Sequence, residues 1–245
     1  MKKTNIFKNG FISYYLGILF LFGLSSNGVA QSQGEMSFGL KAGIASGSFS
    51  TTKNVSISSP ENGVQTGLFG NYSITDFLGA SLEVLYSNTG AANVDPQYFY
   101  ALENAVLENK IVNTSIVSQQ LSIPVLISYM MPGDGSLSGI VPKVYVGGDV
   151  AFNLKSNALN SYNQSEGDGV YYNSKYESMG NRLKGTDFGF IMGTAIGIES
   201  DLFIYSLDAR YRMGLSDIND AKSSYVDSSV KRNVFSIMFG IAYKL

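Results

Sequence analysis

The chain has 245 residues and a net charge of −2, and only 15% of its residues are charged, against roughly 25% in soluble domains. It lacks the basic surplus of a nucleic-acid binder, and with no cysteine and no histidine it excludes disulfides, thiol catalysis, a lipoprotein anchor and the common zinc ligands. A mean hydropathy of +0.07 is too low for a bundle of membrane helices and fits a chain whose apolar and polar residues alternate.

At the start, Lys2, Lys3 and Lys8 precede an apolar stretch over residues 11–24, and small polar residues then lead to Ala30. This is the layout of a secretory signal peptide, with an apolar part too short to span a bilayer. Residues 1–30 are therefore expected to be cleaved and 31–245 to form one domain.

After Ala30 the pattern is period two, repeated in eight segments. The first, 36–44, sets Met36, Phe38, Leu40, Ala42 and Ile44 against Ser37, Gly39, Lys41 and Gly43. The second, 64–74, sets Thr66, Leu68, Tyr72 and Ile74 against Gln65, Gly67, Phe69 and Asn71. In the third, Leu78, Ala80, Leu82, Val84 and Tyr86 oppose Gly79, Ser81, Glu83, Leu85 and Ser87. The fourth, 115–130, has Leu121, Ile123, Val125, Ile127 and Tyr129 against Ser122, Pro124, Leu126 and Ser128. The fifth, 141–154, has Val144, Val146, Val150 and Phe152 against Lys143, Tyr145, Gly147, Asp149 and Ala151. The sixth, 187–199, has Phe188, Phe190, Met192, Ile196 and Ile198 against Gly189, Gly193, Ala195 and Gly197. The seventh has Phe203, Tyr205, Leu207, Ala209, Tyr211 and Met213 against Ser206, Asp208, Arg210, Arg212 and Gly214. The eighth closes the chain with Phe235, Ile237, Phe239, Ile241, Tyr243 and Leu245 on one face. Successive side chains of a strand point to opposite sides, so each segment presents one apolar and one small or polar face.

The connections alternate in length. Thr75-Asp76-Phe77 and Ser200-Asp201 are tight, and Pro132-Gly133-Asp134-Gly135 is intermediate. Residues 46–63, 88–114, 155–185 and 216–231 are expected to be long loops, because Ser, Asn, Gly and Asp dominate them. An even strand count with short turns at one end and long loops at the other is the layout of a bacterial outer-membrane barrel. The expected fold is all-β, a closed eight-stranded antiparallel up-and-down transmembrane β-barrel.

Eight strands also build soluble carriers of the lipocalin kind. Those need a charged exterior, whereas here the non-apolar face is mostly Gly, Ser and Ala and suits a narrow lumen. Tyr72, Tyr86, Tyr129, Tyr205 and Tyr243 fall near segment ends on the apolar face, where interfacial aromatic girdles belong.

The segments Phe38-Gly39-Leu40-Lys41-Ala42-Gly43, Leu121-Ser122-Ile123-Pro124-Val125-Leu126 and Leu207-Asp208-Ala209-Arg210-Tyr211, with the close from Phe235 to Leu245, resemble the PorT-like outer-membrane barrel family of Bacteroidetes over the whole mature chain. The family's barrels usually end in an aromatic residue, where this chain ends in Leu245. The resemblance implies an outer-membrane protein, in some members tied to the type IX secretion apparatus, and transfers no catalytic residue.

Enzymes on barrel scaffolds generally use histidine as base or orienter. Its absence, and the lack of a phosphate-binding or dinucleotide motif, lead to the expectation of no enzyme and no cofactor. Lys41, Glu83, Asp149, Asp208 and Arg210 are expected at similar depth on the lumen face, with Arg212 a little nearer the loops. Buried charges must be paired, so the set is expected to form a salt-bridged plug; an ion or proton path is the other reading. Asp95-Pro96 is a helix start signal for a helix over 97–110. The loop carrying Tyr162, Tyr171, Tyr172 and Tyr176 has the composition of a recognition surface. The expected role is structural, assembly or secretion-supporting, with membrane lipid and envelope or secretion proteins as partners. A small passive channel or ligand-binding barrel is the alternative.

Overall fold

The computed structural model describes residues 34–51, 58–94, 110–131, 140–166, 169–179, 182–220 and 229–245. They form nine strands: β1 (Met36–Thr51), β2 (Ser59–Ser73), β3 (Leu78–Val94), β4 (Lys110–Met130), β5 (Ile140–Glu166), β6 (Gly169–Ser178), β7 (Thr186–Glu199), β8 (Phe203–Gly214) and β9 (Val230–Lys244). The order β4-β3-β2-β1-β9-β8-β7-β5 closes on itself through a β4–β5 pairing, so eight strands make a ring. Every neighbouring pair is antiparallel. The first and last strands zip the ring shut from Ser37↔Lys244 to Thr51↔Val230. A sheet with no water to satisfy its backbone has to close in this way.

At the turn end the chain reverses tightly. The Thr75 hydroxyl accepts from the N–H groups of Phe77 and Leu78 at 3.3 and 3.0 Å, and the Ile74 and Thr75 N–H groups donate to the Leu78 carbonyl. The β7–β8 turn is held by the Ser200 N–H on the Phe203 carbonyl. Leu245 donates its N–H to the Met36 carbonyl, so the first and last strands share this end.

The ninth strand departs from the expected eight. Beyond Phe152, β5 leaves β7 and pairs with β6 from Asn157↔Ser178 to Glu166↔Gly169. Most of the stretch expected as a loop over 155–185 is thus a hairpin. The expected loop over 46–63 is likewise shorter, because β1 runs to Thr51 and β2 starts at Ser59. Ser- and Asn-rich sequence favours turns in isolation, but a neighbouring ladder supplies backbone partners that outweigh this local preference. The leader expected over residues 1–30, the body of the helix expected after Asp95 and the Pro132 turn lie outside the described residues; Lys110, expected to end that helix, opens β4.

Strand length explains a change of polarity along the tube. A tilted strand needs about 9–11 residues to cross a bilayer, whereas β4 has 21 and β5 has 27. In the turn-end part, Phe38, Leu40 and Ile44 project outward at 54%, 58% and 65% exposure, and Lys41 between them is buried at 6%. Past Ile44 the pattern inverts. Ser46 and Ser48 face outward, half-buried, while Phe49 is buried inside. On β5, Lys155 is exposed, and Ser156, Ala158 and Asn160 are buried. The tube is apolar outside over the band, and above it large apolar side chains such as Phe49 and Ile116 turn inward among buried polar ones.

Candidate functional site

The band's interior is filled by two charge clusters. In the one nearer the turns, Asp208 and Arg210 share a face of β8 because they are two residues apart. Arg210 Nη1 donates to Glu83 Oε2 at 2.7 Å and Nη2 to Glu83 Oε1 at 3.1 Å. Its Nε and Nη2 also donate to Asp208 Oδ1 and Oδ2 at 2.9 and 2.8 Å. Lys41 Nζ donates to Glu83 Oε1 at 2.7 Å and lies 3.8 Å from Asp208 Oδ2. The Tyr145 hydroxyl adds a bond to Asp208 Oδ1 at 2.8 Å. Lys41 also sits 4.5 Å from the centre of the Phe69 ring, and the Arg210 guanidinium 5.3 Å from that of Tyr145. Two cations and two anions cancel here, and each carboxylate is multiply bonded, which a buried cluster requires.

One glycine makes this cluster possible. A Cβ at Gly193 would strike the Tyr145 hydroxyl and ring, so the bare backbone there leaves room for the phenol to reach Asp208.

The second cluster lies nearer the loops. Arg212 Nε donates to both Asp149 oxygens at 3.0 and 2.9 Å, and Nη1 donates to Asp187 Oδ2 at 3.0 Å. The Ser216 hydroxyl donates to Asp187 Oδ1 at 2.7 Å. This corrects the expectation that Asp149 lies level with Lys41, Glu83, Asp208 and Arg210. The ladders place Asp208 opposite Ala195 and Ala195 opposite Lys143, so Asp149 is six residues farther along β5 than the Asp208 rung. Register, which the sequence does not state, moves Asp149 to Arg212.

Three participants were not singled out from sequence. Asp187 and Tyr145 were placed on strands without a role, although alternation already put Tyr145 inside. Arg232 escaped because only the apolar face of the last strand, from Phe235 on, was read. Its signal is continued alternation through Val230, Arg232, Val234 and Ser236, which are all buried.

Above these clusters an apolar cap fills the tube: Phe49, Val94, Ile116, Met179, Ile218 and Val230 belong to one buried group. At the turn end a recess is lined by Asn71, Ser73, Ser128, Lys143, Glu199 and Ser206 together with Met130, Val141 and Ile204. Glu199 is tied there to Lys244 at 2.9 Å. Among the described residues no three Asp or Glu side chains gather as metal ligands. The arrangement binds strand to strand across the bore and leaves its carboxylates engaged by arginine and lysine.

A family described as outer membrane protein beta-barrel domain matches residues 29–220. Among solved structures, the chain is similar to the outer membrane protein OprG from Pseudomonas aeruginosa, at 15% identity and a TM-score of 0.46 over 89% of this chain and 99% of that one. It is also similar to Neisserial surface protein A, at 14% identity and a TM-score of 0.43 over 85% and 97% of the two chains. Ail, the attachment invasion locus protein of Yersinia pestis, aligns at 14% identity and a TM-score of 0.38 over 87% and 99%. No curated protein matches the chain in sequence.

Proposed function

The chain belongs to the outer membrane protein β-barrel domain family, and from that premise we propose that it is a non-enzymatic, non-conducting barrel that carries a rigid tube above the membrane in a structural, assembly or secretion-supporting role. One observation carries this reading: side chains cross the bore at two levels, the Lys41–Glu83–Arg210–Asp208 cluster and the Phe49 and Ile116 cap above it. A solute path would have to break bidentate ion pairs and then cross an apolar plug. In barrels of this family the short turns face the periplasm and the loops the exterior, which puts the inverted-polarity tube outside the cell.

The resemblance to PorT-like barrels supports the finer reading, in which the partners are envelope or secretion proteins of a type IX apparatus that meet the tube or its loops. The leader over residues 1–30 supplies the route to the envelope. The β5–β6 hairpin, which continues the wall past the end of the β5–β7 ladder, is the surface offered to such partners, and membrane lipid covers the band below. Conductance across a planar bilayer separates this reading from a passive channel. A silent membrane is the expected result, and steady openings in the wild-type protein would overturn it. Crosslinking in native membranes, with and without residues 157–178, tests the docking role: an envelope neighbour is expected to be lost with the hairpin, and an unchanged neighbour set would overturn that role.

A further inference from the structure

Among the described residues, four buried side-chain donors in the upper bore have no hydrogen-bond partner: Arg232 Nε, Arg232 Nη1, Arg212 Nη2 and Gln120 Nε2. Arg232 and Gln120 are 3% and 4% exposed. The donors belong to one stretch of the tube. Arg232 on β9 spans to the opposite wall, where its Nη2 donates to Ser118 Oγ on β4 at 3.4 Å. Gln120 is two residues along β4 from Ser118 and on the same face. Arg212 Nη1 donates to the Arg232 carbonyl at 3.5 Å.

The carboxylates of this level are already used. Asp149 and Asp187 balance the two guanidinium charges in number, yet both are ligated by Arg212, and among the described residues Arg232 makes no ion pair. Its guanidinium lies 5.7 Å from the centre of the Phe49 ring. A guanidinium cannot shed its charge or accept a bond, so the shortage here is of acceptors. The orphaned acceptors, Gln65 Oε1 and Asn88 Oδ1, are neutral amides on β2 and β3. A water bridging Gln120 Nε2 to Gln65 Oε1, which shares its rung through Ser87, would still leave the guanidinium donors short of an acceptor. An anion only accepts.

We propose that the upper bore holds one monovalent anion of halide size, bound by Arg232, Arg212 Nη2 and Gln120 Nε2. The Phe49, Ile116 and Val230 cap closes the site from the loop end and excludes a large, strongly hydrated anion such as sulfate.

The test uses the full mature barrel, folded in detergent in sulfate buffer and titrated with sodium bromide at constant ionic strength. The folded-to-unfolded ratio in urea is expected to rise tenfold per tenfold increase in bromide once the site begins to saturate, and sulfate is expected to give no such rise. Crystals grown in bromide should show an anomalous peak within hydrogen-bond reach of Arg232 and Gln120. Arg232→Met should abolish the bromide dependence, and Gln120→Leu, which keeps both charges, should weaken it several-fold. A wild type indifferent to bromide, an equal response in Arg232→Met, or a water without anomalous signal at that position would each overturn the proposal. Should Arg232→Met fail to fold, Gln120→Leu and the anomalous map decide.

Discussion

Arg210 and Glu83 form a double-pronged ion pair, at 2.7 and 3.1 Å, between strands on opposite walls of the ring. β8 and β3 are separated by β9, β1 and β2 on one side, so the bond is a diametric brace. Arg232 and Ser118 span the tube in the same way nearer the loops, between β9 and β4.

The brace predicts a large, recoverable loss. Arg210→Met strips Glu83 and Asp208 of their shared cation and is expected to cost about 3–5 kcal/mol, the range for breaking a buried pair. Adding Glu83→Gln removes the stranded charge and leaves Lys41 with Asp208, so most of the loss should return. Urea unfolding in detergent micelles measures both, and a loss below about 1 kcal/mol for the single variant, the scale of an exposed pair, would show that the brace does not hold the barrel.

Gly193 and Tyr145 should be coupled. Gly193→Ala places a methyl against the Tyr145 phenol and is expected to cost about 1–3 kcal/mol by overpacking. Tyr145→Phe, which removes the bond to Asp208, should cost about 1 kcal/mol. In the double variant the two should sum to less than their separate values, because the displaced phenol has already lost its bond. Strict additivity would contradict the contact.

The outward face should divide sharply at the end of the apolar band. Leu207, 55% exposed on β8, lies mid-band, and Leu207→Arg is expected to cost about 2–4 kcal/mol in lipid. Ser48, outside the band on β1, should accept arginine within about 0.5 kcal/mol. Refolding into vesicles followed by urea titration reads both. Equal costs would remove the boundary.

Inside the cap the same alternation turns large apolar side chains inward, and adjacent residues report it. Ile116 is fully buried, while Val117 is 37% exposed. Ile116→Ala is expected to cost about 2–5 kcal/mol through lost packing and a cavity, and Val117→Ala well under 1 kcal/mol, as at an ordinary surface position. Protease resistance of the upper tube should fall in the first variant alone.

The eight ring strands were legible because alternation over a membrane band is strong: Leu207, Ala209 and Tyr211 leave no doubt which way Asp208 and Arg210 turn. Above the band the same alternation persists with opposite meaning. There Phe49 stands alone among serines and Ala158 among asparagines, and composition points to loops. Only the partner strand reveals them as rungs, and β6 went unseen for the same reason. Alternation also tells side but not height. It placed Asp149 inside, yet its pairing with Arg212 depends on how β5, β7 and β8 are staggered, which is set by contacts distant in sequence. Arg232 shows the third limit, since the last strand was read by its apolar face from Phe235 on, and the opposite face, which carries Arg232, was not followed.

The central claim is that the odd-numbered face of β9 from Phe235 to Tyr243 meets hydrocarbon while the even-numbered face fills the bore. The chain has no cysteine, so single cysteines at each position from 235 to 243 can carry spin labels without a background. In bilayers, the odd positions are predicted to collide with dissolved oxygen and be shielded from a water-soluble nickel complex, with the even positions shielded from both. Odd positions open to the nickel complex, with the even ones oxygen-accessible, would contradict the account.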